Sequence, residues 1–260
     1  MTPVDGIRVD HEDGIVTVTF DRPERRNAID YVQWQGIATI FRELAQDKAL
    51  RGVILTGAGS CFSAGADISD FEETRATPEQ GISYEVAVDT ACDAIAALGR
   101  PVIAAIEGYC YGGACNLAMA CDFRFVSPGA RFAIPAGKLS IVYGARGTMR
   151  LLALVGLTEA KRIFYSARDF GADHALKTGF ADAIEADPVA AAREWLEGIR
   201  HVAPLSIAGA KAILNMASMP ETAFDGEAAH DAIFRALTSS DYREGRAAFG
   251  EKRHPRFTGE

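Results

Sequence analysis

A short buried strand that runs through glycines into a helix constrains this chain more than any other feature, and it occurs twice. GVILTGAGSCFSAGAD (residues 52–67) and PVIAAIEGYCYGGACNLAMA (residues 101–120) each open with an apolar run closed by glycine. Runs of this length and composition read as buried strands. Strands alternating with helices favour an α/β fold with a largely parallel sheet, because parallel neighbours need a crossover between them.

The rest of the chain fits around these two anchors. IRVD and IVTVTF flank a turn at residues 11–14 and predict an antiparallel hairpin. Asp30 is placed to cap a helix to about residue 47, with Trp34, Ile37, Ile40, Phe41 and Leu44 at helical spacing. Residues 72–80 are polar and predict a mobile segment, followed by a helix to about residue 98. DFRFV (residues 122–126) and FADAI (residues 180–184) predict strands, and helical patterns cover residues 158–167, 172–178 and 188–199. From Pro204 to Phe249 the pattern is helical and rich in alanine. The expected organisation is one continuous unit, with a core over residues 1–200 and a helical region over residues 201–260 packed on it or on a neighbouring subunit.

Composition excludes several function classes. A net charge of −8 argues against nucleic acid as a partner, since that affinity comes from clustered Lys and Arg. A small anionic ligand needs only a local patch, and DRPERRNA places Arg22, Arg25 and Arg26 together; a solvated turn is the bland reading of the same residues. The five cysteines show no CxxC spacing and the five histidines are isolated, so no metal site is expected and the thiols read as reduced core residues of a cytoplasmic protein. No basic-then-apolar leader opens the chain. The longest apolar stretch is broken by Glu107 and glycines, so no membrane partner is expected.

The glycine turns also carry chemistry. Free backbone N–H groups at a strand exit, backed by a helix N-terminus, can hold an anion or a carbonyl oxygen that becomes negative during reaction. The alternative is that small residues merely let helix and sheet approach. Neither turn spells GxGxxG or GxxxxGK[ST], so a dinucleotide or nucleoside triphosphate lacks its phosphate cradle.

DRPERRNA, FSAGADI, PVIAAIEGYCYGGACNLAMACDFRF, ARFAIPAGKLSIVYGARGTMRL and REGRAAFGEKRHPRF follow one another over nearly the whole chain. In that order they resemble the signatures of the enoyl-CoA hydratase/isomerase family, the crotonase superfamily. The resemblance implies a crotonase-like spiral of ββα units with a C-terminal helical region that builds a homotrimer or a dimer of trimers. It implies an acyl-CoA thioester substrate, with coenzyme A entering as part of that substrate and no tightly bound cofactor. By motif, the two N–H donors for the thioester oxygen are Ala66 and Gly113. Arg25, Ala28, Ala64, Asp67 and Ile68 are the matching coenzyme A contacts, while Phe249 and Lys252 are placed to reach a neighbour's ligand. Tyr111, Pro135, Ala136, Ile141 and Tyr143, with the mobile segment after Asp70, are expected in the acyl pocket walls.

Two positions depart from the family's water-adding members. Their GGGCEL reads GGACNL here, and their FGQPE reads FAIPA, so Asn116 and Ala136 stand where the two glutamates are expected. Hydration of a C=C bond needs a base for water and an acid for the α-carbon, and losing a positioned acid/base costs about 10²–10⁴ in rate. Feeble hydratase activity follows, and simple double-bond isomerisation meets the same objection. Asn116 can still hold a water or a carboxylate by hydrogen bonds. Tyr143 matches a tyrosine of the family's methylmalonyl-CoA decarboxylases, and decarboxylation needs no base because departing CO₂ itself leaves the enolate. A core or interface aromatic is the other reading of Tyr143. The rival from a different class is a non-catalytic acyl-CoA-binding protein that kept the pocket, and RNA binding is the third.

Overall fold

The computed structural model describes residues 2–218 and 234–258. Strands β1 (Ile7–Glu12) and β2 (Ile15–Phe20) form the expected antiparallel hairpin. From β2 onward the main sheet is parallel: β2 pairs β3 (Gly52–Gly57), then β4 (Val102–Ile106), β6 (Phe123–Val126) and β9 (Ala183–Ile184), in the spatial order β1-β2-β3-β4-β6-β9. A smaller sheet of β5 (Tyr109–Tyr111), β7 (Arg131–Ala133) and β8 (Phe170–Gly171) stands beside it. Its strands are too short to show a periodic signal, and the sequence reading missed all three.

Side chains alternate across each parallel strand, and this alternation divides the core. Val53, Leu55, Val102, Ala104 and Ile106 face one layer, made by helices α1 (Tyr31–Leu44), α3 (Pro78–Ala97) and α4 (Gly113–Ala120). Ile54, Ile103, Ala105 and Phe125 face the other, covered by Ala192 and Leu196 of α7 (Pro188–Gly198). Trp34, Ile37, Ile40, Phe41 and Leu44 recur at helical spacing on α1 and are all buried. Each such side chain contributes about 1.5–3 kcal/mol by leaving water. Asp30 starts α1 through a capping box with Gln33, so the N-terminal donors are satisfied where the strand-to-helix link ends.

One expectation is corrected and two hold. The polar stretch at residues 72–80 is ordered: α2 (Phe71–Thr74) precedes a second capping box, Thr77 with Gln80, at the start of α3. The helix expected from residue 158 forms after a break at Gly156, φ 73°, that separates it from a preceding helix; the two together are α5 (Ala145–Ser166). Sequence periodicity registers only the segment after that break, because the earlier half carries its own glycine and two arginines. The C-terminal region is helical as expected where it is described, with α8 (Pro204–Ser218), helical residues 234–238 and α9 (Ser240–Gly250); residues 219–233 of that expectation lie outside the described residues. Helix α6 (Ala172–Thr178) forms as expected.

Helix α9 returns to the core. Gly245 lies against Leu139, where a Cβ would sit 2.8 Å from a backbone carbon, and Arg246 donates to the carbonyl of Arg75 at 3.2 Å. The outer surface of α8 exposes Leu205, Ile213, Leu214 and Met216. All five cysteines are buried and unpaired, and among the described residues no helix is long and apolar enough to cross a membrane.

Candidate active site

The two glycine turns are stitched to each other by backbone hydrogen bonds. Phe62 N donates to Glu107 O at 2.7 Å, Ser63 N to Tyr109 O at 2.9 Å, and Tyr111 N to Ser63 O at 3.1 Å. On its other side the first turn pairs with the chain before α1: Ile29 N donates to Gly65 O and Asp67 N to Ile29 O, both at 2.8 Å. This ladder uses the amides on either side of Ala66. The Ala66 amide itself donates to nothing among the described residues, and neither does that of Gly113, the first residue of α4.

Close approach at this junction requires glycine. Gly65 has φ of 89°, and a Cβ there would lie 2.3 Å from Tyr111 O and 3.2 Å from the Gly113 nitrogen. Gly112 turns the chain into α4 with φ of 53°. A Cβ on Gly113 would in turn lie 3.8 Å from the Ala66 nitrogen. Both unpartnered amides therefore sit side by side, the second on a helix N-terminus whose dipole favours negative charge.

Ala66 and Gly113 line one cavity of about 440 Å³. Asn116 and Tyr143 line it too, as do the expected pocket residues Tyr111, Pro135, Ala136 and Ile141. Of the expected coenzyme A contacts, Ala64, Asp67 and Ile68 reach it, and Phe249 lines this protomer's own cavity from α9. Arg25, Ala28 and Lys252 do not line it. Arg25 stands at the rim, 3.1 Å from Asp67, while Arg22 is held internally by Asp30, Gln33, Asp67 and the carbonyl of Ala28. The arginine cluster is thus partly a brace for the first turn. Burial works to push the Asp67 carboxyl up, but hydrogen bonds from Ser69 and Arg25 and the Arg22 charge outweigh it and hold this carboxyl below the usual range.

Asn116 is buried, and its Oδ1 accepts from Arg150 Nη1 at 3.2 Å; Arg150 also pairs with Asp93 at 2.6 Å. Tyr143 donates its hydroxyl to Gly112 O at 3.0 Å, bracing the peptide that precedes the Gly113 amide. Burial pushes the Tyr143 phenol well above its ordinary value.

The segment after Asp70 was expected in the wall and supplies Phe71 and Arg75, whereas sequence reasoning missed the wall from α1 and α3. Trp34, Phe71, Arg75, Tyr84 and Glu85 all line the cavity. Arg75 is 4% exposed, stacked 4.9 Å from the Phe71 ring and 4.8 Å from that of Tyr84, and paired with Glu85 at 2.6 Å. Burial opposes its charge, yet Glu85 keeps the guanidinium protonated. The signal that could have found this wall is the spacing of Glu85, Asp89 and Asp93, four apart on an otherwise small and apolar helix.

Asp89 carries a pH signature. Burial, followed by the charge of Glu85, pushes its carboxyl up to about 6, against the opposing pull of Arg150 and Arg146. The folded state thus holds a proton that the unfolded chain, titrating near 4, has already released. The resulting stabilisation is complete below pH ~4 and lost as pH rises through ~6. Asp89→Asn should match wild type near pH 4 and exceed it by about 1–2 kcal/mol at pH 8. Thermal melts across that range check this, and parallel curves for the two proteins would refute it.

Comparison with known proteins agrees with this geometry. The family model described as enoyl-CoA hydratase/isomerase matches residues 10–260. "Probable enoyl-CoA hydratase echA6" of Mycobacterium tuberculosis is 35% identical over 254 residues, covering 97% of this chain and 99% of that one. A solved enoyl-CoA hydratase/carnithine racemase from Magnetospirillum magneticum is 35% identical, with a TM-score of 0.80 over 99% of this chain and 97% of that one. A methylmalonyl-CoA decarboxylase solved with 2-nitronate-propionyl-CoA shares the fold at a TM-score of 0.90, with 24% identity over 99% of this chain and 100% of that one. Two glycine turns locked together around a pair of idle amides, and a family match that spans both, place this chain in the enoyl-CoA hydratase/isomerase family.

Proposed function

We propose that the cavity binds an acyl-CoA thioester with its carbonyl oxygen between the amides of Ala66 and Gly113, and that these stabilise the thioester enolate. The observation that carries this reading is the pair of unpartnered donors side by side at a helix N-terminus on an apolar cavity. Donors fixed where charge develops favour the transition state over the ground state, because they need no reorganisation during reaction. Arg25 and Asp67 at the rim, with Ala64 and Ile68, suit the coenzyme A moiety.

On this reading, water addition that relies on carboxylates at residues 116 and 136 is feeble. Asn116 is an amide held by Arg150, and Ala136 ends in a methyl group. Decarboxylation is the second reading, favoured by those same two positions: loss of CO₂ delivers the electron pair to the enolate without a base. Its closing proton would come from Tyr143 or from water. For assembly we propose a homotrimer or dimer of trimers, with the exposed apolar side chains of α8 as a surface that a second copy would cover.

Calorimetric titration with butyryl-CoA and with free coenzyme A, followed by turnover assays on crotonyl-CoA and methylmalonyl-CoA, tests the reading. The thioester should bind more tightly than coenzyme A alone, and crotonyl-CoA should be hydrated only feebly. No added affinity from the acyl thioester would overturn the proposal. Tight binding without turnover across the thioesters would instead select a non-catalytic acyl-CoA-binding protein.

A further inference from the structure

Among the described residues, two carboxylate side chains line the cavity, those of Asp67 and Glu85, and they differ in what their oxygens do. Both oxygens of Asp67 are engaged, one by Arg22 and Arg25 and the other by the amide and hydroxyl of Ser69. Glu85 gives Oε1 to Arg75 at 2.6 Å, while its Oε2 accepts no hydrogen bond among the described residues. That oxygen lies 3.3 Å from the point where a Cβ would stand on Gly144, so glycine keeps its approach open.

The Arg75–Glu85 pair is built unlike a core staple. An arginine and a carboxylate that serve only stability gain most from two parallel hydrogen bonds. Here the pair makes one, leaving Arg75 Nε buried without a partner and Glu85 Oε2 unbonded near the Asp89 carboxyl. Leaving such groups unpaired is costly unless something that enters the cavity uses them. The wall joins Glu85 to the amide pair from two directions. Tyr84 accepts from Trp34 Nε1 at 3.0 Å, and the Trp34 ring lies 2.9 Å from the Cβ position of Gly113. Beside Gly144, the Tyr143 hydroxyl reaches Gly112 O.

Resting on the thioester reading above, we propose that Glu85 is the proton carrier of this site, in place of the carboxylates absent at residues 116 and 136. Its Oε2 takes a proton from the α-carbon of the acyl group. The C–H electron pair forms the Cα=C bond of the enolate, and the carbonyl π pair moves onto the oxygen held by Ala66 and Gly113. Collapse of the enolate takes the proton back from Oε2 at the α-carbon, or at the γ-carbon when the substrate is a β,γ-unsaturated thioester, which is then isomerised. Arg75 keeps its charge throughout and holds Oε1, leaving Oε2 for the substrate. The substrate class is therefore an acyl-CoA with an α-CH, and no oxidant or further reactant is needed.

Exchange of the α-protons of butyryl-CoA in D₂O, followed by proton NMR with the full-length protein, tests this step alone. Wild type should exchange them, and Glu85→Gln, whose amide oxygen can still face Arg75, should slow exchange at least about 10²-fold while butyryl-CoA binding stays within a few-fold. Glu85→Asp keeps the charge but withdraws the carboxylate by one methylene, and should lose part of the rate even if the glutamine variant fails to fold. Bound butyryl-CoA with no exchange in wild type, or wild-type exchange in either variant, overturns the role of Glu85. Failure of wild type to bind butyryl-CoA would instead sink the thioester reading beneath it.

Discussion

Ala66→Pro should lower turnover of a thioester substrate by about 10²–10³-fold, or ~2.7–4 kcal/mol of transition-state stabilisation, with little change in fold. Proline removes the one amide hydrogen at issue. The ladder on either side survives, because Ile29 N bonds to Gly65 O and Asp67 N to Ile29 O, and neither bond involves the Ala66 amide. The residue before a proline is normally restricted by its own Cβ, and here that residue is Gly65, which has none. A fall in kcat with near-constant thermal stability and near-constant butyryl-CoA affinity is the expected pattern. An unchanged kcat would show that the oxygen is held elsewhere.

Placing a carboxylate at residue 136 should have an effect as large in the opposite direction. Ala136→Glu is expected to raise hydration of crotonyl-CoA by about 10²–10⁴-fold, the usual contribution of a positioned acid/base. Ala136 lines the cavity on the 3-10 turn Pro135–Leu139, and a cavity of about 440 Å³ has room for the longer side chain. Asn116→Asp should not do the same. An aspartate there is one methylene shorter than the family's glutamate, and its Oδ1 stays on Arg150 Nη1, 3.2 Å away, so it falls short of the α-carbon. Following loss of the enoyl thioester absorbance in the two single variants separates these outcomes. Equal hydration by both, or by neither, would contradict the assignment of the missing acid/base to residue 136.

Both experiments concern groups that were legible in the sequence to different degrees. Ala66 and Gly113 could be picked out because a strand, a small-residue bend and a helix start are local features, governed by period and by backbone freedom over a few residues. The absence of carboxylates at residues 116 and 136 was equally legible once neighbouring motifs gave the register. Glu85 was not. Its importance lies in one oxygen without a partner, and partners are decided by Arg75, ten residues earlier, and by the gap at Gly144 on another element. The polar segment at residues 72–80 misled for a related reason: its capping box and its contacts with the returning helix α9 give order that composition alone does not report.

The amino-acid sequence alone determined the parallel α/β core, the two glycine bends and the loss of both glutamates, because strand alternation, helical spacing and steric permission are properties of neighbouring residues. Only the tertiary structure decided that the bends meet, that Arg22 braces while Arg25 stands at the rim, and that Glu85 and Tyr143 line the same cavity as the amide pair. Those facts depend on hydrogen bonds between residues tens of positions apart, and their geometry exists only after the sheet has brought the segments together.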